Sequence, residues 1–124
     1  MSRQSGPSMD VNPLLEISNA MVHLYKLAFG RGPTHTRARF ADTDLVLVVL
    51  RDTMTTSERR LVALGQGQRV REHRLLLHDT VEDEMRAALE RILGRTTLAL
   101  ITGIDTERDI AVETFMLAPV APPV

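Results

Sequence analysis

The sequence of 124 residues contains no cysteine and no tryptophan, and its aromatic side chains are three Phe and one Tyr. The absence of cysteine excludes disulfides, thiolate catalysis and zinc–thiolate sites, and it is compatible with a reducing compartment. With so few aromatic rings the core must be aliphatic. The single tyrosine, Tyr25, falls in a predicted helix, so the sequence offers no stacking platform for nucleic acid, which we do not expect as a partner.

Long hydrophobic segments are also missing. The longest purely apolar run is LVLVVL at Leu45–Leu50, whereas a membrane helix needs about 20 such residues. The first residues, MSRQSGPSMDVNP, are polar and lack the apolar region of a signal peptide. We therefore expect a cytoplasmic protein without direct membrane insertion, which reaches a membrane only through a partner.

The composition that remains is that of an ordinary globular protein, with 44% hydrophobic and 25% charged residues. A chain of this length forms one domain and buries roughly two-thirds of its unfolded surface. We expect this domain to span residues 12–118. A disordered leader (residues 1–11) precedes it, and a proline-rich tail (residues 119–124) follows it.

Charge is unevenly distributed along the chain, although the net charge is only −1. From Arg31 to Arg74, nine arginines against five acidic residues give +4. From Asp79 to Glu113, four arginines against nine acidic residues give −5. Fourteen of the fifteen basic residues are arginine, a bias that a GC-rich genome also produces.

The domain begins with a clear helix signal. Asn12 is a preferred helix cap, and Pro13 suits the first helical position, where its missing N–H costs nothing. Apolar residues then recur at spacings of three and four, which predicts a helix packed on a sheet, with a dimer contact as the alternative. Gly30 ends this helix, and Pro33 favours an extended conformation at Gly32.

Two strands and a short helix follow. Thr34–Ala41 alternates polar and apolar residues, as a half-buried strand does. After the turn ADTD, the segment LVLVVLR predicts a more buried strand, so that the two form a hairpin. A capping box from Thr55 to Glu58 starts a short helix that Gly65 closes.

A long helix is then predicted from about Gln68 to Leu93, ended by Gly94, with a length of about 39 Å. RTTLALITGI and IAVETFML predict two further strands, joined by a turn at Asp105. The fold class is α+β with the order α-β-β-α-α-β-β, a four-stranded antiparallel sheet and helices on one face. The other face meets water or a second copy. The predicted stripe of the long helix comprises Val70, Leu77, Val81, Met85, Ala88 and Ile92.

The stretch FGRGPTHTRARF raises the question of a phosphate-binding loop. Such loops follow a strand and lead into a helix, so that amides and the positive helix end face the anion. Here GRGP follows a helix, where carbonyls and partial negative charge collect. The stretch is therefore interpreted as a helix stop, with structural roles for Gly30, Gly32 and Pro33.

Basic residues recur on one side of the first strand. His35, Arg37 and Arg39 alternate along it, and Arg31 precedes them. We define His35, Arg37 and Arg39 as the basic stripe and, together with Arg31, as candidate contacts for a partner or an anion. The alternatives are a solvated sheet face and ion pairs with an acidic helix of a second subunit.

Catalytic and metal-binding patterns are sparse. No Gly-x-Ser-x-Gly elbow occurs. His78 and Glu82 are four residues apart, as are Asp79 and Asp83, a spacing that suits a divalent metal. Because nothing elsewhere completes a ligand shell, an acidic solvent-exposed helix face is the favoured interpretation. We predict no catalytic residue, no metal, no cofactor and no enzymatic activity.

Four stretches carry a further pattern: ISNAMVHLYKLAFGRGP, DLVLVVLRDTMTTSERRLV, VREHRLLLHDTVEDEMRAALERILGR and ALITGIDTERDIAVETFMLAP. From Val11 to Pro119 the chain resembles a bacterial family named for the MpsC component of a Na⁺-translocating, membrane-potential-generating system. Gly-Arg-Gly-Pro, Thr-x-x-Glu-x-x-Leu and Val-Glu-x-Phe are jointly specific. Arg39 departs from the pattern, which has an aromatic or apolar residue there. The resemblance implies no catalytic residue and a soluble accessory role in cation translocation.

Two functional hypotheses follow. The first is a non-enzymatic homodimeric module that acts as an accessory or regulatory component of a cation-translocating membrane system and contacts a transport subunit. The second is a stand-alone homo-oligomeric regulatory or anion-binding protein. Structural roles are assigned to Thr55, Glu58, Gly94 and Asp105.

Overall fold

The computed structural model describes residues 12–120, which form four helices and a four-stranded antiparallel sheet. The predicted leader and residues 121–124 of the tail lie outside this range. The α+β class is confirmed, with one helix more than predicted. In chain order the elements are α1 (Pro13–Phe29), β1 (His35–Asp42), β2 (Leu45–Arg51), α2 (Thr56–Ala63), α3 (Gly67–Asp79), α4 (Glu82–Leu93), β3 (Thr97–Asp105) and β4 (Ile110–Leu117).

Helix α1 has the predicted ends. The side chain of Asn12 accepts a hydrogen bond from the Leu14 amide at 3.0 Å, and Pro13 occupies the first helical position. At the other end Gly30 adopts φ = 79° and donates its N–H to the Lys26 carbonyl. Because a side chain at this φ is strained, glycine is the residue that suits the stop.

The strands lie in the order β1-β2-β4-β3, so that the two hairpins join through β2 and β4. Side chains alternate between two faces of this sheet. All fully buried strand residues within residues 12–120 lie on one face, here called the inner face, against which the helices pack. They are Ala38, Val46, Val48, Leu50, Thr97, Ala111, Glu113, Phe115 and Leu117.

The prediction of a single long helix from Gln68 to Leu93 is wrong. The chain instead forms α3 and α4, separated by Thr80 and Val81. The Thr80 hydroxyl donates to the Leu77 carbonyl at 2.6 Å, which competes with the regular backbone ladder. Val81, at φ = −121° and ψ = 1°, leaves helical geometry and starts the new helix.

The six residues of the predicted apolar stripe are all buried or half-buried, but the stripe is incomplete, because α3 also turns polar side chains inward. Its buried residues are Val70, Arg74 and His78, which recur at a spacing of four. Leu76, by contrast, is 69% exposed. The break lets α4 bury Met85 and its neighbours while α3 presents two ionisable side chains to the sheet.

Helix α2 has no buried residue and is held by its ends. The capping box is confirmed, with the Glu58 amide 3.2 Å from Thr55 Oγ1 and the Thr55 amide 2.8 Å from Glu58 Oε1. The segment before it is anchored by Asp109, whose carboxylate accepts hydrogen bonds from the amides of Thr53 and Met54.

Candidate functional site

The second face of the sheet, here called the outer face, carries the residues of the basic stripe. His35, Arg37 and Arg39 are exposed on β1, an edge strand. Arg37 is paired with Val49 and Arg39 with Leu47 in the neighbouring strand β2. The stripe therefore borders the apolar side chains of the central strands.

The centre of the outer face is apolar and uncovered. Val49 pairs with Val112, and Thr114 pairs with Ile101 on β3. Ile101 is 61% exposed and Met116 is 40% exposed. No outer-face residue of the described strands is fully buried. Contiguous exposed apolar side chains are typical of surfaces that take part in interactions.

An open groove of about 690 Å³ runs along the boundary between the basic stripe and the apolar centre. The residues that line it include the basic side chains of His35, Arg37 and Arg39 and the apolar side chains of Leu47 and Val49. The groove combines positive charge with an apolar surface. Such a surface suits an acidic partner segment or an organic anion.

Arg31 is separated from the basic stripe. Its Nη2 lies 2.8 Å from Asp52 Oδ2, and its Nε lies 3.3 Å from the Asp52 carbonyl. Arg59 also pairs with Asp52. Arg31 therefore fastens the end of α1 to the chain after β2 instead of extending the basic stripe.

The other structural candidates occupy chain reversals. Gly94 ends α4 at φ = 65°, and Gly32 lies so close to α1 that a Cβ there would be 3.4 Å from Val22 Cγ1. Pro33 is half-buried beside it. Asp105 accepts the Arg108 amide at 3.0 Å in the β3–β4 turn.

On the inner face the structure assembles a polar group that the sequence did not reveal. We call Tyr25, His78, Thr102 and Glu113 the Glu113 cluster. Glu113 is fully buried, and its carboxylate accepts the Tyr25 hydroxyl at 2.6 Å and the Thr102 hydroxyl at 2.6 Å. His78 Nε2 lies 2.8 and 3.0 Å from the two carboxylate oxygens. The charge is thus matched by three hydrogen-bonding side chains.

The cluster shifts the pKa of two of its members. Burial raises the pKa of Tyr25, and the charge and hydrogen bond of Glu113 raise it further, so the phenol stays a donor. Burial lowers the pKa of His78, but Glu113 and the nearby charges of Glu82 and Asp79 outweigh that effect. The net pKa of His78 is raised.

A second polar group adjoins it around Arg74, which is 1% exposed. Its Nε and Nη2 each lie 2.7 Å from an oxygen of Glu58, and Nη2 reaches the Thr53 carbonyl at 2.8 Å. The guanidinium carbon also lies 4.3 Å from the centre of the Phe29 ring. Arg74 thereby ties the capping box of α2 to the core.

The interpretation of His78 as part of a solvent-exposed face is wrong, because the residue is buried against Glu113. The sequence held two signals of this arrangement. Glu113 occupies an inward position between Ala111 and Phe115 in the strand alternation. His78 also follows Val70 by eight residues, on the same helix face. Neither signal shows that His78 and Glu113 contact each other across the core.

Fold and surface define a small α+β protein with one uncovered sheet face and a polar core cluster. Within residues 12–120, no helix has the length and hydropathy of a membrane span. The family model described as "Na+-translocating membrane potential-generating system (MpsC)" matches residues 14–119. The chain belongs to this family, so the resemblance is confirmed. No curated protein and no solved structure matches it.

Proposed function

We propose that this protein is a non-enzymatic, cytoplasmic accessory component of a Na⁺-translocating membrane system. In this proposal two copies pair through their outer faces, and the basic stripe at the rim contacts an acidic surface of a transport subunit. The uncovered apolar sheet face with its basic border carries the proposal. Membership of the MpsC family is the reason for proposing a Na⁺-translocating membrane system as the partner.

The size of the outer face supports pairing at the lower end of stable interfaces. Four strands about 4.8 Å apart, each contributing roughly seven residues at about 3.3 Å, span about 440 Å² in projection. Two such faces approach the roughly 1,000 Å² that a specific interface needs. The side chains of the β3 edge, including Leu98 at 61% exposure, extend the contact.

Charge selects one way of pairing the two faces. A two-fold axis across the strands would place the two basic stripes opposite each other, which like-charge repulsion disfavours. An axis along the strands places β1 of one copy opposite β3 of the other. There the stripe meets Ile101 and its neighbours, which are uncharged, and both stripes remain at the rim.

The pairing is tested by the mass of the protein in solution. Val112→Glu puts a charge in the centre of the outer face, and we expect it to turn a dimer into a monomer by light scattering. The matched control is Leu76→Glu, because Leu76 is an exposed apolar residue that lies on α3 and not on the outer face. A monomeric wild type, or a dimer that survives Val112→Glu, refutes pairing through this face.

The membrane role is tested by recovery of partners. The tagged protein is purified from mildly solubilised membranes of its host, beside Arg37→Glu/Arg39→Glu. We expect an integral transport subunit in fixed ratio with the wild type and its loss with the double variant. Recovery of the tagged protein alone in both samples refutes the accessory role.

A stand-alone anion-binding protein is the second candidate, and the basic lining of the 690 Å³ groove favours it. Thermal shift with nucleotides, phosphates and organic acids tests it. Stabilisation that disappears in Arg37→Gln supports a ligand in this groove. A folded protein that none of these compounds stabilises argues against it.

A further inference from the structure

The junction between α3 and α4 brings three metal-binding side chains together. One imidazole nitrogen of His78 and one carboxylate oxygen each of Asp79 and Glu82 lie within 4.8 Å of one another. His78 is buried, Glu82 half-buried and Asp79 exposed, so the group spans the boundary between core and solvent. We propose that these three residues bind one divalent transition-metal ion, represented in experiments by Zn²⁺.

The histidine ring has one nitrogen engaged and one open. Nε2 faces Glu113 and Thr102 at 2.8–3.0 Å. Within residues 12–120, Nδ1 forms no hydrogen bond, although the side chain is only 4% exposed. Nδ1 is also not among the fully enclosed side-chain atoms that lack a partner. It therefore reaches solvent at the junction and is the nitrogen available to a metal.

Glu113 prepares His78 for this role. Metal-binding histidines commonly donate their second ring N–H to a carboxylate, which fixes the tautomer and makes the ligating nitrogen more basic. With the proton on Nε2 donated to Glu113, the Nδ1 lone pair is free. The fully buried carboxylate also places negative charge behind the ring. The same contact that stabilises the core thus orients a ligand towards the surface.

The surrounding charges favour a cation. Asp79, Glu82 and Glu113 contribute three carboxylates around one imidazole. Arg86 is a nearby cation, but it lies 3.9 Å from Glu82 and its Nε and Nη2 donate to Thr97. Acidic residues in the first turn of α4 also suit the helix dipole. The helix dipole explains the acidic residues, but it does not explain a buried histidine with one ring nitrogen that forms no hydrogen bond within the described residues.

The ligand set indicates the class of metal. Imidazole together with carboxylates suits Zn²⁺ and related first-row ions, whereas Mg²⁺ and Ca²⁺ prefer oxygen ligands alone. A tetrahedral ion about 2.1 Å from its ligands requires ligand atoms roughly 3.4 Å apart, with water as the fourth ligand. The exposed Asp79 side chain is the one free to close the remaining distance.

Calorimetric titration of the metal-free full-length chain with Zn²⁺ near neutral pH tests the site. We expect saturation at one ion per chain for the wild type. Asp79→Asn and Glu82→Gln each remove one ligand and should lower the affinity by roughly tenfold or more. The matched controls are Asp83→Asn and His73→Gln, both exposed residues on the same two helices, which should retain wild-type affinity. Circular dichroism establishes that every variant is folded.

The position of the ion is tested separately from the affinity. Nitrogen NMR of the histidine rings should show the resonance of His78 Nδ1 shifting with one equivalent of Zn²⁺, while the exposed His23 and His73 keep theirs. The proposal is overturned if the wild type does not saturate, or if Asp79→Asn and Glu82→Gln bind as the wild type does. Loss of binding in His73→Gln would equally overturn it, by assigning the ion to a surface histidine.

Discussion

Consecutive residues of β4 point to two opposite environments. Glu113 faces the core, fully buried, with Tyr25, Thr102 and His78 around its carboxylate. Val112, the residue before it, faces the uncovered outer side and stays half-exposed. A sheet with one solvated face ordinarily buries its apolar side chains and exposes its polar ones. At the midpoint of β4 this arrangement is reversed, because the polar Glu113 is buried and the apolar Val112 is half-exposed.

The contrast separates what holds the fold together from what the protein offers to others. The Glu113 cluster satisfies its hydrogen bonds within the domain, so it specifies how α1, α3 and the sheet meet. The outer face has nothing in residues 12–120 to cover it, so its apolar area is available for association. Substitutions inside should therefore change stability, and substitutions outside should change assembly.

The largest expected effect comes from Glu113→Ala. It leaves the Tyr25 hydroxyl, the Thr102 hydroxyl and the His78 ring without their shared acceptor. Breaking a buried charged group of this kind costs about 3–5 kcal/mol in the free energy of unfolding. Urea unfolding followed by circular dichroism measures it.

The neighbouring outer-face residue supplies the control for this prediction. Thr114→Ala in the same strand should cost no more than about 0.5 kcal/mol, measured at a concentration where the protein is monomeric. Equal losses at positions 113 and 114 would show that the two faces contribute alike, and the contrast would not hold.

The next largest effect is expected for Arg74→Met, which keeps the apolar part of the side chain. It removes two charge-assisted contacts to Glu58 and one to the Thr53 carbonyl, for a loss of about 2–3 kcal/mol. Arg69→Met is the matched control, since Arg69 is exposed on the same helix. A double-mutant cycle with Glu58→Gln isolates the pair. If the losses of the two single variants add up to that of the double variant, Arg74 and Glu58 are not coupled.

Glu58 also makes the stability depend on pH. Burial raises its pKa, but the hydrogen bonds from Arg74 and Thr55 and the charge of Arg74 outweigh burial, so the net pKa is lowered. A carboxyl with a lowered folded-state pKa stabilises the fold above its ordinary pKa and loses that contribution as pH falls through the lowered value.

Unfolding of the wild type and Glu58→Gln, compared from about pH 7 to about pH 3, measures this contribution. We expect the difference in stability between the two proteins to shrink towards acid pH. A difference that stays constant over the range would show that ionised Glu58 does not stabilise the fold.

Local signals made much of the fold predictable from sequence. Asn12-Pro13 and Gly30 mark the ends of α1 because capping depends on residues within one helical turn. The strand alternation of β1 and the run LVLVVLR likewise depend on neighbours in the chain. The same alternation placed His35, Arg37 and Arg39 on one face, where the structure has them.

Tertiary contacts decided what the sequence missed. The predicted stripe of the long helix contained only apolar residues, yet Arg74 and His78 also point inward, where they contact Glu58 and Glu113. Those acceptors lie 16 and 35 residues away in the chain. No short-range pattern contains these contacts, whereas the break at Thr80 has a local contribution from the hydrogen bond between the Thr80 hydroxyl and the Leu77 carbonyl.

A substitution with a smaller expected effect tests whether the side-chain cap of α2 contributes to stability. Thr55→Ala removes the cap on the Glu58 amide and should cost about 1 kcal/mol. Thr56→Ala, one residue further on and exposed, is the control and should stay within about 0.5 kcal/mol. If both substitutions are neutral in thermal unfolding, α2 is held by Arg74 and not by its cap.

The smallest effect on stability is expected on the basic stripe. Arg37→Glu/Arg39→Glu should change the free energy of unfolding of the monomer by no more than about 0.5 kcal/mol, because both side chains are exposed. The same variant should lose its association with a membrane partner, and the association of the wild type should weaken as ionic strength rises, since rim charges act mainly on encounter and its salt dependence. Recovery of the partner over a range of ionic strengths measures this. A stability loss above about 1 kcal/mol would make the stripe part of the fold's own support, because surface positions without a structural role do not show such losses.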